Sequence, residues 1–171
     1  MFRQLQHRFQ SMRTLSRLCA SAEAHARARG QTAPGVEHFL LAAIDLPDGS
    51  ARRAFESMGA DPAAVRDAIE QQYRDALQGV GLNAPLPQAP ALTPPAPGLY
   101  QAQPSGQEVM QTLARSRKDQ GGPLLGAHVV AAVAAMPQGV AARTLRAMGI
   151  DAGQLAAAAQ AQVPSATSAA A

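Results

Sequence analysis

Leu5, Phe9, Met12, Leu15, Cys19, Ala22 and Ala26 recur every three or four residues, the spacing that gathers side chains onto one face of a helix. The pattern predicts a long first helix with this face turned to a core, ended by Gly30 and Pro34. "VEHFLLAAI" predicts a second helix with Phe39, Leu40, Ala43 and Ile44 inward, and "LPDGS" a turn. "ARRAFESM" makes a short third helix burying Ala51, Ala54, Phe55 and Met58, and Gly59 suits the left-handed position that closes it. Asp61 is an expected N-cap, with Pro62 in the first turn of a fourth helix that buries Val65, Ile69, Tyr73 and Leu77.

The same pattern then returns at a constant offset. "RRAFESMGAD" from Arg52 has its echo in "ARTLRAMGID" from Ala142, aligning Arg53 with Arg143, Met58 with Met148, Gly59 with Gly149 and Asp61 with Asp151. Upstream, "EHFLLAAIDLPDG" aligns with "AHVVAAVAAMPQG", which pairs His38 with His128 and Pro47 with Pro137. The expected architecture is all-α: eight helices as two tandem four-helix repeats, packed with pseudo-two-fold symmetry, each helix apolar on one face only. The expected boundaries are a first repeat over 1–78, a linker over 79–106, a second repeat over 107–162 and a disordered tail over 163–171. The linker carries seven prolines and four glycines in 28 residues, a composition for irregular or polyproline-like chain that spaces two units.

Composition narrows the class. Aromatics are 4% of 171 residues and Trp is absent, while Ala supplies much of the apolar content, as closely packed helices prefer. Fourteen of the fifteen basic residues are Arg, and Lys118 is the one Lys, a bias read as that of a GC-rich bacterial genome. The net charge is +3, with Arg interleaved among Asp and Glu, so no nucleic-acid partner is expected. Cys19 has no second cysteine to pair with, which fits a reducing cytoplasm and a small buried side chain. No apolar run reaches membrane-spanning length. The N-terminal "MFRQLQHRFQSMRTLSRLC" is basic, with no acid before Glu23, in the manner of a transit peptide or a surface-binding helix. Its periodicity continues unbroken into the first repeat, which favours a structural helix.

The order "GVEHFLLAAI", a Gly-containing turn, "ARRAFESMGAD" and a fourth helix, all in duplicate, resembles the N-terminal repeat domain of the Clp ATP-dependent unfoldases. "GVAARTLRAMGID" is the nearest single stretch, and "MFRQLQHRF" is similar to the start of ClpC-type members. The resemblance implies an all-α domain that docks adaptors and substrates without catalysis, and so partners among Clp unfoldases, adaptors or client proteins. It also implies that a glutamate at the start of the second helix of each repeat contributes to binding phosphorylated arginine. Here Glu37 matches in the first repeat and Ala127 replaces it in the second, so at most one such site follows.

Candidate chemistry adds little beyond binding. No G-x-x-x-x-G-K-[ST] phosphate loop and no G-x-S-x-G elbow occurs, and the histidines at 7, 25, 38 and 128 lack metal-ligand spacing. The chain is therefore read as no enzyme, with no cofactor and no metal. Phe2, Phe9, Arg13, Glu37 and Tyr100 are the expected peptide- or adaptor-binding residues, with Arg17 beside Arg13 on the outer face of the first helix. His38, His128, Gly59, Gly149, Asp61 and Asp151 are expected to be structural, because repeats retain what the fold requires. The alternative reading is a membrane- or nucleic-acid-associated regulator that uses the basic first helix.

Overall fold

The computed structural model of the chain describes residues 2–81, 100–119 and 122–164, and only the backbone of residues 2–4, 118 and 119. The expected irregular linker, over 82–99, and the expected tail, over 165–171, lie outside the described residues. Eight helices follow in order: α1 (Phe2–Ala28), α2 (Val36–Asp45), α3 (Ser50–Glu56), α4 (Ala64–Gly79), α5 (Pro104–Asp119), α6 (Gly126–Ala134), α7 (Val140–Ala147) and α8 (Ala152–Ala161). No strand occurs among the described residues, and the fold is all-α.

The linker expectation is shortened at its end. Residues 104–106 already belong to α5, where Pro104 takes the first helical position, whose N–H has no intrahelical partner to lose. Asp61 likewise stands one turn ahead of its helix. Its carboxylate accepts the Ala63 N–H at 2.8 Å, and α4 begins only at Ala64. Asp151 is a true N-cap, accepting the Gln154 N–H at 2.8 Å.

Several local geometries recur 90 residues apart. Gly59 and Gly149 adopt φ of 72° and 70° behind α3 and α7, a region closed to most side chains. In both places the next residue returns to the preceding helix, Ala60 N–H to the Phe55 carbonyl at 3.1 Å and Ile150 N–H to that of Leu145 at 2.9 Å. His38 Nδ1 accepts the Gly35 N–H at 2.9 Å, and His128 Nδ1 accepts that of Leu125 at 3.0 Å. Both imidazoles thus satisfy a backbone donor at a helix start.

The core lies around α2 and α6, which pack against each other. The expectation of one apolar face per helix fails for these two. Nine of the ten α2 residues are buried, and in α6 all but Ala131. A helix enclosed by neighbours on all sides has no solvent face to keep polar. Around this pair the two halves interleave: α3 packs on α8 and on α6, while α7 packs on α4 and on α2. The halves also cap one another. The Asp48 carboxylate accepts the Gly126 N–H at 3.1 Å, and the Ser50 hydroxyl accepts the Ala127 N–H at 2.8 Å, both at the start of α6. Ser105 Oγ accepts the Val36 N–H at 3.3 Å, at the start of α2. With no acidic residue of its own in the first turn, α6 borrows Asp48 from 78 positions upstream.

The first helix departs most from expectation. Its buried residues are Leu18, Ala22 and Ala26, with Leu15 partly buried against the core. Leu5, Phe9 and Met12 are 55%, 64% and 69% exposed, and Cys19 is half-buried rather than enclosed. At the offset of 90, Pro104 corresponds to Thr14, so the first turns of α1 extend past the point where α5 begins. Among the described helices α1 packs closely on α2 alone, and α5 reaches its early turns through Arg117, which donates to Ser11 Oγ at 3.2 Å.

Candidate functional site

The expected binding residues fall in two places. Phe9 and Arg13 are exposed on the free half of α1; the side chain of Phe2 lies outside the described part. Tyr100 is 39% exposed, its ring edge-on to buried Phe39 at 6.5 Å between centroids. Burial, with the Cys19 thiol beside it, pushes the Tyr100 phenol well above its usual range. The Cys19 thiol is itself raised by burial, so it is a poor nucleophile at neutral pH. An apolar strip therefore runs along α1 from Leu5 through Phe9 and Met12 toward Cys19, where Tyr100 closes it.

Glu37 is elsewhere, in a buried setting apart from the other expected binding residues. It is 3% exposed at the start of α2. The Tyr73 hydroxyl, from α4, donates to its Oε1 at 2.5 Å, and His38 Nδ1 lies 3.5 Å from the same oxygen. Burial and the hydrogen bond to Glu37 push the Tyr73 phenol up to about 12, so it remains a donor across the physiological range. The same hydroxyl accepts Gln31 Nε2 at 3.1 Å, and Gln31 Oε1 in turn accepts Gln103 Nε2 at 3.0 Å. Gln103 also donates to the Ala33 carbonyl at 3.0 Å, while its backbone N–H bonds the Pro34 carbonyl at 3.0 Å. The Arg29 guanidinium lies 4.2 Å from the Tyr73 ring centroid and 3.5 Å from Glu70. The carboxylate is thus the centre of a network joining the turn after α1, α2, α4 and the segment leading into α5. A buried charge needs such partners, and with them it is a structural pin.

Removal of one partner tests this. Tyr73→Phe leaves the carboxylate buried with a donor missing and is expected to cost about 2 kcal/mol in urea unfolding. A surface carboxylate would register almost nothing.

The residues that the sequence did not single out are those of this network and of the caps, Arg29, Gln31, Asp48, Ser50, Gln103 and Ser105, while Tyr73 was expected only as a core residue. Of these, only Asp48 had a local signal. Its carboxylate accepts the Ser50 N–H at 2.9 Å, as an Asp two residues before a helix commonly does.

Among the described residues no group of three His, Cys, Asp or Glu side chains could hold a metal ion. No described helix is long and apolar enough to cross a membrane. What the surface offers is apolar area flanked by Arg8, Arg13 and Arg17, a chemistry of association. The family model described as the Clp repeat (R) N-terminal domain matches residues 13–96. No curated protein matches the chain.

Proposed function

Because the chain belongs to the Clp repeat N-terminal domain family, we propose that it is a non-catalytic recognition domain of the Clp chaperone–protease system. It binds adaptors, substrates or degrons and does not hydrolyse ATP. The family match over residues 13–96 carries this reading, since domains of this family typically take part in substrate or adaptor interaction. The recurrent geometries 90 residues apart, which fit two tandem repeats, support it as well.

Phe9, Arg13 and Tyr100 are the proposed contact residues, apolar area for affinity and charge for partner choice. Glu37 and His38 act apart from them, tying the start of α2 to α4 and to the turn before it. The single cysteine fits a cytoplasmic setting.

The test is affinity capture from lysate of the source cell at moderate salt, with the wild-type chain and a Tyr100→Ala variant as baits. Enrichment of a Clp unfoldase, its adaptors or short-lived proteins, reduced for the variant, is the expected result. Retention of nucleic acid or anionic vesicles that vanishes as salt is raised, with no Clp component present, would sink the reading in favour of the basic-helix alternative.

A further inference from the structure

The first turns of α1 carry large apolar side chains that the core does not enclose. At the offset of 90, residues 10–13 correspond to residues 100–103, which are not helical, so α1 starts ahead of the position that matches the start of α5. The family match begins at residue 13, beyond Leu5, Phe9 and Met12. None of these three side chains is needed by the core, which α1 serves through Leu18, Ala22 and Ala26. Yet they are large, apolar and regularly placed.

Their spacing is that of a seam. Phe2, Leu5, Phe9, Met12, Ser16 and Cys19 alternate steps of three and four residues, the a and d positions of heptads. This stripe lies about a quarter-turn around the helix from the buried Leu18–Ala22–Ala26 face, as the rotation of roughly 100° per residue dictates. It is narrow, flanked by Arg8 at one g position and by Gln6 and Arg13 at e positions, with Arg8 and Arg13 both exposed. A narrow seam with charged flanks suits another helix rather than the broad apolar contact of an interfacial helix.

Charge then selects the partner. The flanks hold only basic and neutral residues, since no acid occurs before Glu23. In a parallel pair of identical helices Arg8 would face the partner copy's e position, again an arginine, and an antiparallel pair would also place like charges together. Self-pairing is therefore opposed by the same residues that would attract glutamates. We propose that the N-terminal half of α1 is a coiled-coil docking strip for an acidic amphipathic helix of a partner protein. That helix would place Leu-like residues against Leu5, Phe9 and Met12, and acidic residues against Arg8 and Arg13. The proposal rests on the reading of the chain as a protein-binding domain, but not on the identity of the Clp partner.

The probe is a synthetic three-heptad peptide with Leu at a and d and Glu at e and g; a second peptide carries Lys in place of Glu. The full chain is titrated with each, following peptide helicity and fluorescence anisotropy. Saturable binding and helix gain with the Glu peptide alone are expected. F9A/M12A should weaken it by about tenfold or more, and R8E/R13E should transfer the preference to the Lys peptide. All four positions are exposed, so an unchanged thermal midpoint confirms that the variants remain folded. Binding of neither peptide, equal binding of both, or indifference to the four substitutions would overturn the proposal. It would equally be overturned if the chain instead bound phosphatidylserine vesicles through Phe9 and Met12, or sedimented as a dimer that F9A/M12A dissociates. The lysate experiment can fail while the peptide switches preference, so the two readings are separable.

Discussion

Gly106→Ala is expected to destabilise the fold by about 3 kcal/mol, although the residue is helical and the substitution favours helix formation. A Cβ at this position would stand 2.5 Å from the Pro34 carbonyl oxygen and 2.9 Å from the Phe39 ring. The oxygen is backbone and cannot swing aside, and Phe39 is fully buried. The helix would have to withdraw from α2, disturbing the Gln103 bonds to Ala33 and Pro34 as it moves. Gly79→Ala is the control. A Cβ there meets nothing within 4 Å, so only the helix preference and the lower entropy of the unfolded chain act, and a gain of up to about 1 kcal/mol is expected. Opposite signs in urea unfolding at pH 7 support the packing geometry. A stabilising Gly106→Ala would show that α5 does not approach α2 so closely.

Acid is expected to weaken the fold steeply through His38 and His128. Burial lowers the affinity of both rings for a second proton below the ordinary value of 6.5; for His38, Glu37 opposes this and Arg29 and His25 reinforce it. Burial also leads for His128, helped by Arg117 and opposed by the Leu125 backbone and Asp48. The hydrogen bonds give the reason independently. Each Nδ1 accepts a backbone N–H, so a proton there would face another donor. A ring whose folded value is depressed takes up its proton preferentially in the unfolded state. Its contribution to stability is thus complete above about pH 6.5 and declines as pH falls toward the folded value. The slope is at most about 1.4 kcal/mol per pH unit for each ring. Urea midpoints between pH 7.5 and 5 measure it. In H38Q/H128Q the glutamine oxygens can still accept the backbone N–H, and this part of the slope should disappear. An unchanged slope would assign the acid sensitivity to carboxylates instead.

Much of this fold was written in local pattern. The eight helices and the left-handed glycines at 59 and 149 depend on near neighbours, because a helix and its end close through bonds within a few residues. The pairing of His38 with His128 is legible for the same reason, since each bonds a backbone group three positions away. The fate of Glu37 was not. Its partner Tyr73 is 36 positions distant, and nothing in "GVEHF" distinguishes a carboxylate offered to solvent from one held under a phenol.

The first helix shows the limit most clearly. Leu5, Phe9 and Met12 share helical spacing with Leu15, Cys19 and Ala22, so periodicity alone assigns them to one inward face. Which residues are buried depends on where α2 lies, and the α1 residues buried in the core are Leu18, Ala22 and Ala26 of its later turns. By itself the sequence determined the helices, their order and the residues that end them, all consequences of contacts a few residues apart. The tertiary structure alone decided that α2 and α6 are enclosed, that Asp48 and Ser50 cap a helix of the other half, that Glu37 is a buried pin, and that Leu5, Phe9 and Met12 of α1 are left exposed. Each of these is a meeting of residues far apart in the chain, and only the packed arrangement of the helices brings them together.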